Sequence, residues 1–321
     1  VEEKKVKPQL HQSHLSVLYR CGYKFQRIYL LGEKEPPTTP LVIGTATHAS
    51  IAINLNNKID KGTLLPREAV QDHTKDEFIK AWETMPVVLN QEEINDGLQK
   101  TRDTCQDITI ELALLHHYDI APKITPKHVE RTWVIEATGY PYDLAGTIDV
   151  DEIVEFDREK GLFLAKPLFK IRDTKTKAKN IGQREVDTSE QYTFYHFAKY
   201  MLDGILADYV VQDNLIKPTK TRPAVALSYQ STRTIDDHTV VQRRFETACD
   251  VIQKGAFTPA NPSDWWCSKE FCGFAATGRC KYFNSKRSMI VTKGEPNGNR
   301  QRKPSDPNAL IESLKGCLSE D

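Results

Sequence analysis

The sequence predicts an α/β domain: a mixed sheet flanked by helices, with a helical N-terminal part and a cysteine-rich C-terminal segment. Three observations carry this. Residues 1–120 have mostly helical periodicity. Residues 121–256 open with three β-like runs and then alternate helix, strand and helix. Three cysteines crowd into residues 257–284, and residues 285–321 are polar enough to be expected disordered.

The elements follow in order. Residues 11–31 read as a helix, with Leu15, Leu18, Tyr19, Gly22 and Phe25 along one face. "GEKEPPTTP" stops it, because proline excludes helix. A second helix is expected from about Thr45 to Asn57, opened by Gly44-Thr45. A third follows Pro66, and a long one spans roughly Gln91 to Tyr118. "KHVERTWVIEA", "YDLAGTIDVDEIVEF" and "LFLAKPLFKIRDTKT" read as strands, the last two joined by the charged turn "DREKG". Helix is expected from Thr188 to about Val211, strand at "AVALSYQS", and helix again from Asp237 to Lys254.

Composition sets limits. The chain has 321 residues, 39% hydrophobic and 27% charged, as in an ordinary globular protein. No apolar run approaches a membrane span, and no signal peptide is evident, so the expectation is a cytoplasmic protein with no membrane partner. Net charge is zero, so global charge announces no nucleic-acid partner. Locally, residues 160–184 hold eight basic side chains against one acid, Asp173. That stretch suits either phosphate attraction or a lysine-protected edge strand.

The chemistry centres on Asp149, Asp173 and Lys175. Asp173 and Lys175 share strand parity and so one face. A hairpin centred near residue 159 would set Asp149 against residue 169, about 13 Å of strand short of Asp173. Pro167 offers a remedy: it cannot pair in a central strand, and a bulge there would bring Asp173 level with Asp149. Two carboxylates on one face repel unless a cation lies between them, and oxygen ligands suit Mg²⁺ or Mn²⁺. A lysine beside them could neutralise charge developing on a phosphoryl group. A pair of surface salt bridges is the plainer alternative.

The wider pattern is Cys21, Gly44-Thr-Ala-Thr-His48, Gly146-Thr-Ile-Asp149, Asp173-Thr-Lys175, Gln191 to Tyr195, then Cys267, Cys272 and Cys280. In this order it resembles the RecB-type exonucleases of the PD-(D/E)XK superfamily. It is most similar to the iron–sulfur branch that includes the AddB nuclease domain, CRISPR spacer-acquisition nucleases and many phage enzymes. The resemblance implies a restriction-endonuclease-like core, with His48, Asp149, Asp173 and the Thr174 carbonyl as metal ligands and Lys175 as the catalytic lysine. It implies that Gln191 and Tyr195 contact the DNA strand or support the site, and Lys177 and Lys179 are further candidates for the DNA backbone. Plainer roles stand beside these: His48 as a helix-face histidine, Gln191 as the capping partner of Thr188, and Tyr195 as core.

Cys267, Cys272 and Cys280 are spaced C-x4-C-x7-C, and with Cys21 they make four thiols. That count suits a [4Fe–4S] cluster, with zinc as the alternative. The remaining cysteines, Cys105, Cys249 and Cys317, read as inert. The expected function is a metal-dependent DNA exonuclease acting on single-stranded or duplex ends, in recombination, repair or phage DNA processing. The chain has no G-x-x-x-x-G-K-[ST] loop, so a helicase or recombination protein would be a separate partner. A silent DNA- or protein-binding module with a structural metal is the alternative.

Overall fold

The computed structural model of the chain describes residues 7–84, 86–157 and 160–283. The tail expected to be disordered, and Cys317 within it, lie outside them. A short strand, β1 (Gln9–His11), precedes α1 (Gln12–Arg20) and α2 (Gly22–Phe25), which runs into a π-helical turn at Gln26–Leu30. The helix expected over 11–31 is therefore broken at Cys21. That residue is extended, with φ −159° and ψ 96°, and its Sγ accepts the Lys24 N–H at 3.4 Å. Gly22 lets the chain pass close to the C-terminal segment. A Cβ there would lie 2.9 Å from Phe257 Cα, and its N–H donates to the Thr258 carbonyl at 2.8 Å.

Four helices follow: α3 (Thr39–Lys61), α4 (Arg67–Glu83), α5 (Gln91–Asp96) and α6 (Leu98–Asp119). Helix α3 starts six residues before the expected Thr45, with Pro40 in its first turn. Gly44-Thr45 therefore lies inside the helix, and Gly44 faces Thr176 across a gap that a Cβ would narrow to 3.3 Å. The long helix expected over 91–118 is interrupted at Gly97, whose φ of 85° suits glycine.

The sheet has six strands: β1, β2 (Pro126–Ile135), β3 (Asp143–Asp157), β4 (Leu162–Lys177), β5 (Tyr209–Ile216) and β6 (Val225–Ser231). Its order is β2-β3-β4-β5-β6, and β1 runs parallel to the first residues of β3. Strands β3 and β4 are antiparallel, while β4 and β5 are parallel, so the sheet is mixed. The crossover from β4 to β5 carries α7 (Gln183–Thr188) and α8 (Glu190–Asp203). After β6 come α9 (His238–Gln253) and the short α10 (Gly273–Ala276).

Strand β5 corrects the sequence reading, which ran helix through to Val211. Gly204, at φ 68°, caps α8 and stops it. Strand β5 is buried along almost its whole length, including Gln212, Asp213 and Asn214. A strand buried on both faces loses the polar alternation that marks a strand. The capping-box alternative for Gln191 also fails: Thr188 ends α7, and Ser189 is the N-cap of α8.

Two apolar clusters flank the sheet. One joins α1, α8 and α9 to Trp133, Ile148 and Ile171; the other joins α3, α4 and α6 to Val150 and Leu215. Fully buried side chains such as Phe78 and Phe194 each contribute about 1.5–3 kcal/mol. Helix α8 is also pinned by charge. Buried Lys199 lies 2.6 Å from Asp151 and 2.9 Å from Asp203, and Arg131 of β2 grips Asp203 with two bonds of 2.7 Å. Removing one member would leave a buried charge unpaired, so the network fixes where α8 sits.

Gly146 is set by packing. A Cβ there would lie 2.5 Å from Trp133 Cζ2. Gly146→Ala should therefore destabilise the fold by about 1–3 kcal/mol, read as a lower urea midpoint. An unchanged midpoint would mean that Trp133 can move aside.

Candidate active site

The site forms where β2, β3 and β4 meet α3 and α8. Val150 lies opposite Arg172 and Val154 opposite Leu168. The register then slips, so that Phe156 meets Phe163. The slip absorbs extra residues of β4 next to Pro167. Continuing the inner register one step sets Asp149 level with Asp173, and the Thr174 N–H reaches Asp149 Oδ2 at 3.4 Å.

Helix α3 delivers His48, whose Nδ1 lies 3.2 Å from Asp149 Oδ2. Lys175 Nζ lies 2.9 Å from Asp173 Oδ1 and 2.8 Å from Oδ2. Helix α8 closes the other wall: Gln191 Nε2 donates to Asp173 Oδ1 at 2.9 Å and to the Tyr195 hydroxyl oxygen at 2.6 Å. Gln191 and Tyr195 meet because they stand one helical turn apart. Asp173 is 1% exposed, whereas the Lys175 side chain is 31% exposed, so the lysine is partly open to solvent above a buried carboxylate.

Glu130 of β2 was not singled out from the sequence. It lies across from Asp149, between the pairs Val129–Val150 and Arg131–Ile148. His48, Glu130 and Asp149 bring three ligand atoms within 4.8 Å of one another, the one such group among the described residues. Glu130 also has φ +50°, the one positive value among described residues other than glycine. Backbone strain of this kind costs of order 1–3 kcal/mol and gathers at functional sites. A glutamate on an alternating strand carries no such signal in sequence.

The electrostatics fit a cation site. Burial pushes the Asp173 carboxyl up, and the Asp149 charge adds to it against the pull of Lys175. Asp149 itself stays low: burial opposes this, but the His48 bond and the Lys175 charge outweigh it. Burial works against a charged His48, yet Asp149 holds it above its usual range. Burial, then the Asp149 charge, push Glu130 up to about 7. Carboxyls driven up by desolvation and by each other are stabilised by a bound cation.

Of the other residues singled out, Lys177 is paired with Glu185 at 2.9 Å and Lys179 is exposed. Thr174 is buried and in register with Asp213 of β5. The four thiols, Cys21, Cys267, Cys272 and Cys280, are free and line one cavity of about 250 Å³ walled by Trp266 and Phe274. Cys21 Sγ accepts backbone N–H groups from Lys24 and Ala260, each at 3.4 Å.

A family model described as "PD-(D/E)XK nuclease superfamily" matches residues 9–280. The chain belongs to the PD-(D/E)XK nuclease superfamily. Its mixed sheet flanked by helices is consistent with the superfamily's restriction-endonuclease-like fold. No curated protein matches the chain. A solved structure titled "Crystal structure of SSO0001" is similar at 10% identity and TM-score 0.32, covering 79% of this chain and 89% of that one. So distant a likeness bears on neither substrate nor mechanism.

Membership of the superfamily points to metal-dependent nuclease activity on DNA, with Mg²⁺ or Mn²⁺ as cofactor. The acidic group of His48, Glu130 and Asp149 is a fitting place for such an ion. Among the described residues, no helix is long and apolar enough to cross a membrane.

Proposed function

We propose that this PD-(D/E)XK protein is a DNA exonuclease of the RecB type, acting at strand ends in recombination, repair or phage DNA processing. The observation that carries the reading is the clustering of His48, Asp149, Asp173 and Lys175 at one site. His48, Glu130 and Asp149 would hold Mg²⁺ or Mn²⁺, with Asp173 and the Thr174 carbonyl completing the ligands. A bound ion supplies Lewis-acid polarisation of the scissile phosphate. Lys175, partly open to solvent, would place its ammonium where it stabilises negative charge developing on that phosphate. Gln191 holds the Asp173 carboxylate and Tyr195 together on one wall. Lys179, exposed on the same stretch, would meet the DNA backbone, with Lys177 beside it, making binding salt-sensitive.

The cysteine cavity would hold a [4Fe–4S] cluster. Four free thiols, an apolar wall and two N–H groups aimed at Cys21 Sγ suit a thiolate-bound cluster. Tetrahedral zinc would need its sulfurs about 3.8 Å apart, from Zn–S bonds of about 2.3 Å. No three of these thiols converge within 4.8 Å, which favours the larger group over zinc.

The test is an assay on end-labelled single- and double-stranded DNA with Mn²⁺. Label should be released progressively from ends, EDTA should stop it, and Mn²⁺ or Mg²⁺ should restore it. Glu130→Gln should raise the Mn²⁺ concentration needed by about tenfold. Cleavage that survives EDTA would point away from this chemistry, and internal cuts alone would remove the exonuclease assignment.

A further inference from the structure

Behind the cleft, four buried polar side chains stand in line: Asp173, Tyr192, Gln212 and Asn214, none more than 2% exposed. The Tyr192 hydroxyl oxygen lies 3.3 Å from Asp173 Oδ2 and 2.8 Å from Gln212 Oε1. Gln212 Nε2 lies 2.7 Å from Asn214 Oδ1. A tyrosine hydroxyl carries one proton and cannot serve two acceptors. With Gln212 Oε1 facing it, the shorter contact takes the proton, and Asp173 meets only a lone pair. In that arrangement Asn214 Nδ2 is also buried with no acceptor.

The two ends of an amide have the same shape, and the hydrogen-bond network decides which way each points. Turning both amides over keeps every heavy-atom contact and reverses the direction. Asn214 Nδ2 then donates to Gln212 Oε1, Gln212 Nε2 donates to the Tyr192 oxygen, and Tyr192 O–H donates to Asp173. The buried amine of Asn214 gains an acceptor. Its oxygen takes the unpartnered place, and a buried C=O tolerates that better than an N–H.

We propose that Asn214, Gln212 and Tyr192 form a one-way chain of donors ending on Asp173 Oδ2, which makes Tyr192 a positioning residue for that carboxylate. The assignment rests on the reading of Asp173 as a carboxylate of the metal cleft. With Lys175 and Gln191, Tyr192 completes three donors that fix both oxygens of Asp173. The fully buried ring acts by holding the carboxylate in one orientation.

The two directions predict opposite results for two variants. Mn²⁺ binding to the full chain is measured by calorimetry, with thermal melts as a check on folding. In the proposed direction, Tyr192→Phe removes a donor to Asp173 and should weaken Mn²⁺ binding about tenfold. Gln212→Met leaves the Tyr192 proton on Asp173 and should bind Mn²⁺ within about twofold of wild type. In the reverse direction Tyr192→Phe changes little, whereas Gln212→Met frees a proton for Asp173 and shifts the affinity; either result overturns the chain. Should Tyr192→Phe not fold, Gln212→Met alone decides. Wild-type protein that binds no Mn²⁺ would overturn the reading of the cleft and this assignment with it. Wild-type binding with an unchanged Tyr192→Phe would overturn the chain alone.

Discussion

Lys175→Ala should abolish DNA cleavage while leaving DNA binding in place. Its ammonium is bonded to the buried Asp173 carboxylate, yet its side chain remains partly open to the cleft. No other cation among the described residues is bonded to the Asp173 carboxylate. A single group that stabilises transition-state charge is worth about 10²–10³ in rate, and loss of the lysine also leaves Asp173 without its counter-charge. Binding should persist, because affinity for the backbone is spread over many contacts and follows salt. The check is single-turnover cleavage beside a gel-shift titration at two salt concentrations. Full cleavage by the variant would remove Lys175 from the chemistry; loss of binding together with cleavage would make it a binding residue.

Cys21→Ser should bleach and destabilise the protein. Protein purified without oxygen should be brown and absorb near 400 nm, roughly as thiolate-bound clusters do. Cys21 comes from the break between α1 and α2, and its three partners lie more than two hundred residues later. A cluster bound there would tie the two ends of the fold together. Closing so long a loop contributes about 5 kcal/mol when the tie is covalent. Its loss should lower Tm by roughly 10 °C or more in a domain of this size. The spectrum and the melt of wild type and variant, measured side by side, decide it. A colourless wild type holding one zinc would replace the cluster with zinc, and an unchanged melt would show that the cysteines bear no structural tie.

Much of the site was legible because its signals are local. Asp173 and Lys175 share strand parity, Gln191 and Tyr195 are one helical turn apart, and Pro167 cannot pair in a central strand. These local signals account for the three consecutive strands, the need for a slip near Pro167, and the levelling of Asp149 with Asp173. The mixed α/β character was legible in the same way.

The remaining features depend on contacts between distant parts of the chain. Strand β5 was hidden because Gln212 and Asp213 look like loop residues until Tyr192 and Arg172, far away in the chain, satisfy them. The break at Cys21 depends on the approach of Phe257 and Thr258, which nothing within residues 11–31 announces. Glu130 enters the cleft only because β2 pairs with β3 in one register and bends at a positive φ. Periodicity records which way a side chain faces along its own element. Which elements meet, and which buried polar groups find one another, is fixed by contacts between residues far apart in the chain.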